Sequence, residues 1–354
     1  MRVLVWQWGR RGAGPRYALS LARGLDAQPG VTGLLSLSRQ SELLGAEPDC
    51  DLPQDTYDGA IGYARRLALA PLTVQPLARR LRALAPDVAV GAMPGPLDLL
   101  MAAALRRLAV PMLVVVHDAS AHPGDSLPLQ MTLQALLLRR ADALIALSAH
   151  VATTLAAQRP GATILRSTLP PLAYGPAPPP PGAHGGTLRV LSFGRLLPYK
   201  GLDLLAAAWR LLPPGVAELR VVGSGPETPA LDALRALPAV TVENRWVPEA
   251  EVGALLGWAD VLLLSHTEAS QSGVAAAARA AGRWVVGTDV GGLAEQLRDD
   301  PRAVLCAATP AALAAGLRSL PGRAAPPAPP DTAAAWSVTA AELVRQLQDI
   351  VGRA

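Results

Sequence analysis

The segment Phe193-Gly194-Arg195-Leu196-Leu197-Pro198-Tyr199-Lys200-Gly201 carries the strongest chemical signal in the chain. An apolar run ends at Phe193, Gly194 lets the backbone turn tightly, and Arg195 and Lys200 flank a loop that feeds a helix near Gly201. A fork-shaped guanidinium beside a compact ammonium suits a diphosphate, the first binding bidentately and the second as a point charge. Two solvated surface cations would give the same letters. Composition favours a ligand: of 32 basic residues, 31 are Arg and Lys200 is the one Lys. A lysine kept where arginine is the default cation calls for a reason.

A second stretch, Leu264-Ser265-His266-Thr267-Glu268-Ala269-Ser270-Gln271-Ser272-Gly273-Val274, also follows an apolar run. Backbone N–H groups of Ser272, Gly273 and Val274 at a helix start can cradle a phosphate, helped by the helix dipole. Glu268 would then face a hydroxyl-bearing part of the ligand, because a carboxylate beside phosphate is repulsive. Helix capping by Ser270 or Ser272 uses the same amides, so this stretch alone does not separate the two readings. His117, in His117-Asp118-Ala119-Ser120-Ala121-His122-Pro123-Gly124-Asp125, stands just past the apolar run 113–116. At such a strand end it can donate to a sugar oxygen or stabilise positive charge, or simply be satisfied by its neighbours. The turn from Gly9 to Gly14 holds glycines but no dinucleotide fingerprint, and no Gly-x-x-x-x-Gly-Lys-Ser/Thr loop occurs.

Short apolar runs alternate with longer amphipathic stretches, the pattern of α/β structure with parallel sheets. The pattern predicts strands at 3–5, 31–37, 88–90, 113–116 and 143–147, and a helix from Pro15 to about residue 25. Residues 71–84 read as helical with a restart at Pro76, and 49–62 as loop plus a short helix. A proline-rich stretch at 169–186 supports neither helix nor inner strand and reads as a stiff linker. Beyond it the alternation resumes, with strands predicted at 189–193, 218–223, 240–242, 261–264 and 284–287. A second proline-rich break at 321–330 precedes a last amphipathic helix. The expected organisation is a first domain over 1–168, a linker over 169–187, a second domain over 188–330, and a terminal helix within 331–354. Two doubly wound halves place a ligand crevice at the carboxyl edges of their strands.

Composition narrows the class. The chain of 354 residues is 51% apolar and 17% charged with a net charge of +4, which is neither disordered nor the basic surface of a nucleic-acid binder. Two cysteines and five scattered histidines match no metal-ligand spacing, so no metal is expected. No apolar run approaches a bilayer span, and the N-terminus lacks a leader pattern, so a cytoplasmic protein is expected. In the first half, Leu77, Leu81 and Leu84 recur at helical spacing with Arg79, Arg80 and Arg82 between them. Such a helix could touch anionic lipid at the inner face of the membrane, or pack its leucines on the core.

The chain resembles the GT-B glycosyltransferases of retaining family 4, the "glycosyl transferase group 1". The resemblance is carried by Gly194-Arg195 with Lys200-Gly201, by Val221-Val222-Gly223-Ser224-Gly225-Pro226, and by Ala259-Asp260-Val261-Leu262. Residues Glu268 to Val274, and Gly282 through Asp289-Val290-Gly291-Gly292 to Glu295, complete it. It is dense from 188 to 300, and looser over His117-Asp118 with His122-Pro123-Gly124 and over Trp336-Ser337. A subset with Ala-Ser-Gln-Ser-Gly before the helix is the nearest likeness. Asp49-Cys50-Asp51 matches the metal-holding Asp-x-Asp string of other sugar transferases, but it does not follow a nucleotide-binding strand and reads as chance.

The resemblance implies two Rossmann-like domains and a nucleotide-diphosphate sugar, of UDP or GDP type, as donor substrate with no cofactor. Arg195 and Lys200 would hold the diphosphate after the turn at Gly194, with the amides of Ser272, Gly273 and Val274. Glu268 would contact sugar hydroxyls, His117 would approach the sugar, and backbone near Val247 would receive the base. The acceptor, lipid-linked or saccharide, would lie near Gly12 and Gly14, and the terminal helix would return to the first domain. The expected role is retaining, metal-independent transfer in bacterial surface-polysaccharide assembly. A weakly active partner subunit, or a nucleotide-sugar epimerase or hydrolase, remains as an alternative. One departure stands out: Ala277 occupies the position of a glutamate that ordinarily accepts from the nucleotide ribose in the family.

Overall fold

A computed structural model describes residues 1–44, 50–120, 128–320 and 326–352. The chain divides into two compact units. Of the described residues, one gathers those up to Ala119, residues 128–168 and those from Ala333 on; the other holds Ser120 and the run from Leu169 to Thr332.

The first unit opens with β1 (Arg2–Gln7), α1 (Ala13–Asp26), β2 (Thr32–Leu37), α2 (Gly59–Ala68) and α3 (Ala70–Leu84). It continues through β3 (Val88–Gly91), α4 (Asp98–Arg107), β4 (Met112–Val116) and α5 (Pro128–Arg140). β5 (Ala143–Ala146), α6 (Ala149–Gln158) and β6 (Ile164–Arg166) complete it. The strands form one parallel sheet in the order β2-β1-β3-β4-β5-β6. A parallel sheet is covered on both faces, which is why β1 and β4 read as unbroken apolar runs: Val3 to Trp6 are fully buried, as is all of β4.

The second unit begins with β7 (Leu188–Phe193), α7 (Leu202–Trp209), β8 (Ala217–Gly223), α8 (Pro229–Arg235) and β9 (Val240–Asn244). Next come α9 (Glu249–Trp258), β10 (Val261–Leu264), α10 (Gly273–Ala280) and β11 (Trp284–Thr288). It ends with α11 (Gly291–Leu297), β12 (Ala303–Cys306) and α12 (Pro310–Arg318). Its parallel sheet has the order β12-β11-β10-β7-β8-β9. Strand order reverses between β7 and β10 here, and between β1 and β3 in the first unit. These are the places where doubly wound sheets open a crevice for ligands. β7 pairs with β10 through Val190 and Val261, so the loops that follow the two strands emerge side by side.

Two local expectations need revision. α3 runs through Pro76 without a restart, because the carbonyl that loses its amide partner belongs to Leu72, which is exposed and can be hydrated. Leu77 and Leu81 lie in the core of the first unit, so they are not the face of a lipid-binding helix. The linker is fastened to the second unit: the Leu172 amide donates to the Ala276 carbonyl at 3.1 Å, and the Gly182 amide to Asp260 Oδ1 at 2.6 Å. β12 and α12 extend the second unit beyond the elements the pattern predicts.

The last helix, α13 (Thr332–Val351), belongs almost wholly to the first unit. Its buried stripe, Trp336, Ala340, Leu343 and Leu347, has helical spacing. It packs on α1, where a side chain at Gly24 would meet the Trp336 carbonyl oxygen at 2.8 Å, and just beyond α1 Gln28 Nε2 donates to the Ser337 carbonyl at 3.0 Å. No helix among the described residues is long and apolar enough to cross a membrane.

Candidate functional site

The switch point of the second unit is built by the loops after β7 and β10. Gly194 ends β7, and a Cβ there would stand 3.3 Å from Val274 Cγ2, so the first loop touches the start of α10. Residues Pro198–Lys200 form one 3₁₀ turn that closes at Gly201, whose φ is 64°. A Cβ at Gly201 would lie 2.0 Å from the Ser265 carbonyl oxygen, so only glycine permits this approach. Side chain and backbone then stitch the loops together. Ser265 Oγ donates to the Lys200 carbonyl at 2.8 Å, and the Thr267 amide to the Tyr199 carbonyl at 2.9 Å.

Tyr199, buried between them, gathers the cations. Arg195 Nη2 donates to Tyr199 Oη at 3.0 Å, with its guanidinium carbon 5.7 Å from the ring centre. Lys200 Nζ lies 5.1 Å from the same centre, within cation–π range. It also stands 2.8 Å from His266 Nε2. A small pocket here is lined by Ser192, Phe193, Arg195, Lys200, Ser265 and His266, among others. The sole Phe and the sole Lys of the chain thus share one pocket. His266 is not marked by its spacing, since its partner Lys200 is 66 residues away.

At the start of α10 the two uses of the serine amides separate. Ser272 Oγ accepts from the Ala275 amide at 3.2 Å, which caps the helix. The Ser272 amide donates to Gln296 Oε1 at 2.9 Å, and Gln296 Nε2 returns a bond to the Ser272 carbonyl at 3.1 Å. The Ser272 amide, expected in the anion cradle, is thus engaged by Gln296. Gly273 and Val274 open the first turn of α10. Glu268 is exposed beyond β10, and Val247 is buried beyond β9, ahead of α9. Ala277 lies in the core of the second unit. It is 1% exposed, inside the core cluster that holds Leu255, Leu293 and Leu297, so alanine there fills a packed position.

In the first unit His117 follows β4, and its Nε2 lies 3.1 Å from the Ala92 carbonyl beyond β3. A carbonyl only accepts, so Nε2 carries the hydrogen. Burial pushes the imidazole below its ordinary pKa, against the opposing effects of Asp118 and the Ala92 carbonyl. Nε2–H is thus committed to a backbone carbonyl within the first unit. In a neutral ring, Nδ1 is an acceptor. At the β1 end, the Gly9 amide donates to Gln7 Oε1 at 2.7 Å, and a Cβ at Gly14 would be 2.9 Å from Gln7 Nε2. Gly14 is thus required by the Gln7 amide, whereas Gly12, with φ 83°, has open space beside it. His122 and Asp49 lie outside the described residues.

Comparison with known proteins follows the same division. Residues 14–164 match the model of Glycosyltransferase Family 4, and residues 187–321 that of Glycosyl transferases group 1. No curated protein matches the sequence. Among solved structures, sucrose-phosphate synthase from Thermosynechococcus elongatus is similar over 100% of both chains, with a TM-score of 0.67 and 15% identity. HepE from Anabaena in complex with UDP and glucose covers 100% of both chains, with a TM-score of 0.66 and 16% identity. UDP-GlcNAc 2-epimerase from Neisseria meningitidis, bound to UDP-GlcNAc, covers 99% of this chain and 100% of its own at a TM-score of 0.58 and 10% identity. The fold is shared at these identities, and the two models take in most of the sequence between them: the chain belongs to the glycosyltransferases of the GT-B type.

Proposed function

We propose that the protein transfers a sugar from a nucleotide-diphosphate sugar to a lipid-linked or saccharide acceptor with retention of configuration. The observation that carries this is the gathering of Arg195 and Lys200 around Tyr199 at the second unit's switch point, beside the first turn of α10. As the glycosidic C–O bond breaks, the leaving diphosphate gains charge, and fixed cations and amide dipoles aimed at it lower the barrier. Arg195, Lys200 and the amides of Gly273 and Val274 supply that field without a metal. Glu268 accepts from hydroxyls of the donor sugar, and backbone at Val247 receives the base. His117 is the residue of the first unit we assign to the sugar, and Gly12 leaves room for an acceptor. A UDP-type donor is supported by the UDP and UDP-sugar complexes of structural neighbours.

The test is a melting-temperature screen of UDP- and GDP-sugars followed by product analysis, since a ligand of the native state raises its stability. Transfer to an added acceptor supports the reading. Epimerised or hydrolysed sugar without acceptor would move the protein to the activity of the epimerase neighbours. No response to any nucleotide-sugar would leave a partner subunit.

Attachment to anionic lipid also forms part of the proposal, on a surface other than the expected one. Residues 59–84 hold five arginines and no acid. Within them Ile61 is 88% exposed and Leu72 72%, with Leu67 and Leu69 partly so. Exposed apolar side chains flanked by arginine suit a negatively charged interface, where surface-polysaccharide acceptors are carried.

A further inference from the structure

We propose that His266 is the positioning residue of Lys200: its neutral ring takes a hydrogen bond from the ammonium and fixes where that charge points. The purpose assigned to the pair rests on the diphosphate reading above; the pairing itself does not.

An ammonium has three N–H bonds and no lone pair, so across the 2.8 Å between Nζ and Nε2 the imidazole must accept. That requires the tautomer with its hydrogen on Nδ1. The ring is in no position to swing away, because His266 is only 2% exposed. Its backbone is held from β11, where fully buried Thr288 donates through Oγ1 to the His266 carbonyl at 2.6 Å. Next to it, the Thr267 amide holds the Tyr199 carbonyl, and the Tyr199 ring stands 6.1 Å from the His266 ring. The lysine head therefore sits against a tyrosine ring and an imidazole nitrogen that are each anchored by a different strand or loop.

This geometry accounts for the single lysine. A guanidinium spreads its donors over a broad plane, whereas an ammonium presents them from one compact atom. Here one bond goes to an imidazole while a ring stands about 5 Å away, an arrangement that a compact head suits. Tethering one N–H also sets the direction of the other two before any ligand arrives, which is how a charge is made ready for a transition state without reorganisation.

Because Lys200 is the only lysine, protein carrying ¹⁵N at lysine Nζ gives one side-chain ammonium signal. In the wild type its protons should exchange with water at least about tenfold more slowly than those of free lysine, as for a hydrogen bond to a charged donor. His266→Phe should abolish this protection, and His266→Gln, whose carbonyl oxygen can accept in place of Nε2, should retain it. Pyrophosphate added to the wild type should shift the signal. By calorimetry, His266→Phe should bind pyrophosphate about tenfold more weakly, the loss of one charge-assisted bond, with most of the affinity restored in His266→Gln. In a Lys200→Ala background the His266→Phe change should cost nothing further, which separates action through Lys200 from general loosening. Wild-type protons exchanging as fast as free lysine would overturn the proposal, whether or not the variants fold. A protected signal that pyrophosphate fails to move would instead overturn the diphosphate reading and leave the pairing standing.

Discussion

The ring of Tyr17 meets the ring of His117 edge to face, their centroids 5.4 Å apart and their planes at 79°. On its other side Tyr17 meets Trp336 of α13 in the same manner, at 5.2 Å and 78°. Burial of the tyrosine drives its hydroxyl pKa far up, so the ring stays neutral and acts as a spacer between helix and histidine. Trp336→Ala should therefore destabilise the first unit by about 3–5 kcal/mol, the usual cost of emptying a packed tryptophan site. Hydrogen exchange resolved along the chain checks this: faster opening confined to residues of the first unit is expected, and uniform protection would contradict it.

Removal of the lysine head tests the site directly. Lys200→Ala should lose about 2–4 kcal/mol of transition-state stabilisation, seen as a fall in kcat/KM of one and a half to three orders of magnitude. Lys200→Arg should recover little, because a guanidinium does not present its donors from one compact atom. The assay is turnover of whichever nucleotide-sugar raises the melting temperature. Activity within a few-fold of wild type in Lys200→Ala would remove the lysine from the diphosphate.

Restoring the family's glutamate should not help this protein. Ala275, Ala276, Ala277 and Ala278 are all 1% exposed or less, so a carboxylate at 277 would be buried. Ala277→Glu should cost about 3–5 kcal/mol, the penalty of a buried charge, and bring no gain in nucleotide affinity. Melting curves and nucleotide titrations on the same preparation decide the matter; a variant as stable as wild type with tighter binding would show the helix facing the ribose.

Asp98 predicts a pH dependence of unusual sign. It is 1% exposed at the start of α4, where its Oδ2 accepts from the Gly95 amide at 2.8 Å, and burial raises its carboxyl to about 7. Unfolded, it would titrate near 3.9. Between those values the folded chain holds a proton that the unfolded chain has released. The contribution is therefore complete below about pH 4 and is lost as pH rises towards 7, at up to about 1.4 kcal/mol per pH unit. Asp98→Asn should flatten that slope between pH 4 and 7 relative to wild type. Depressed carboxylates such as Asp300, held down by Arg302 and Arg279 against the opposing effect of burial, act below that range and with the opposite sign. Parallel stability-against-pH curves for the two proteins would contradict the assignment.

Flotation with anionic vesicles should recover the protein at low salt and lose it at high salt. Ile61→Ser with Leu72→Ser should weaken recovery at low salt. Leu77→Ser should instead lower the melting temperature, because Leu77 lies in the core. Equal flotation on neutral and anionic vesicles would remove the arginines of α2 and α3 from the contact.

Much of this protein was legible in its letters because the informative signals are local. Apolar runs marked β7 and β10, Gly194 and Gly201 marked the turns, and one lysine among 31 arginines marked the loop. Tertiary structure decided which groups those features meet. Lys200 reaches His266 across 66 residues, Gln296 takes the Ser272 amide from 24 residues away, and Trp336 reaches back to Tyr17. The same limit applies to the leucines of α3 and to Ala277. Periodicity says that a helix has an apolar side, but whether that side meets core, ligand or lipid depends on what else the chain folds against it. Local order follows from backbone and side-chain preferences within a few residues, whereas the partner of a buried polar atom is chosen by packing across the whole sheet.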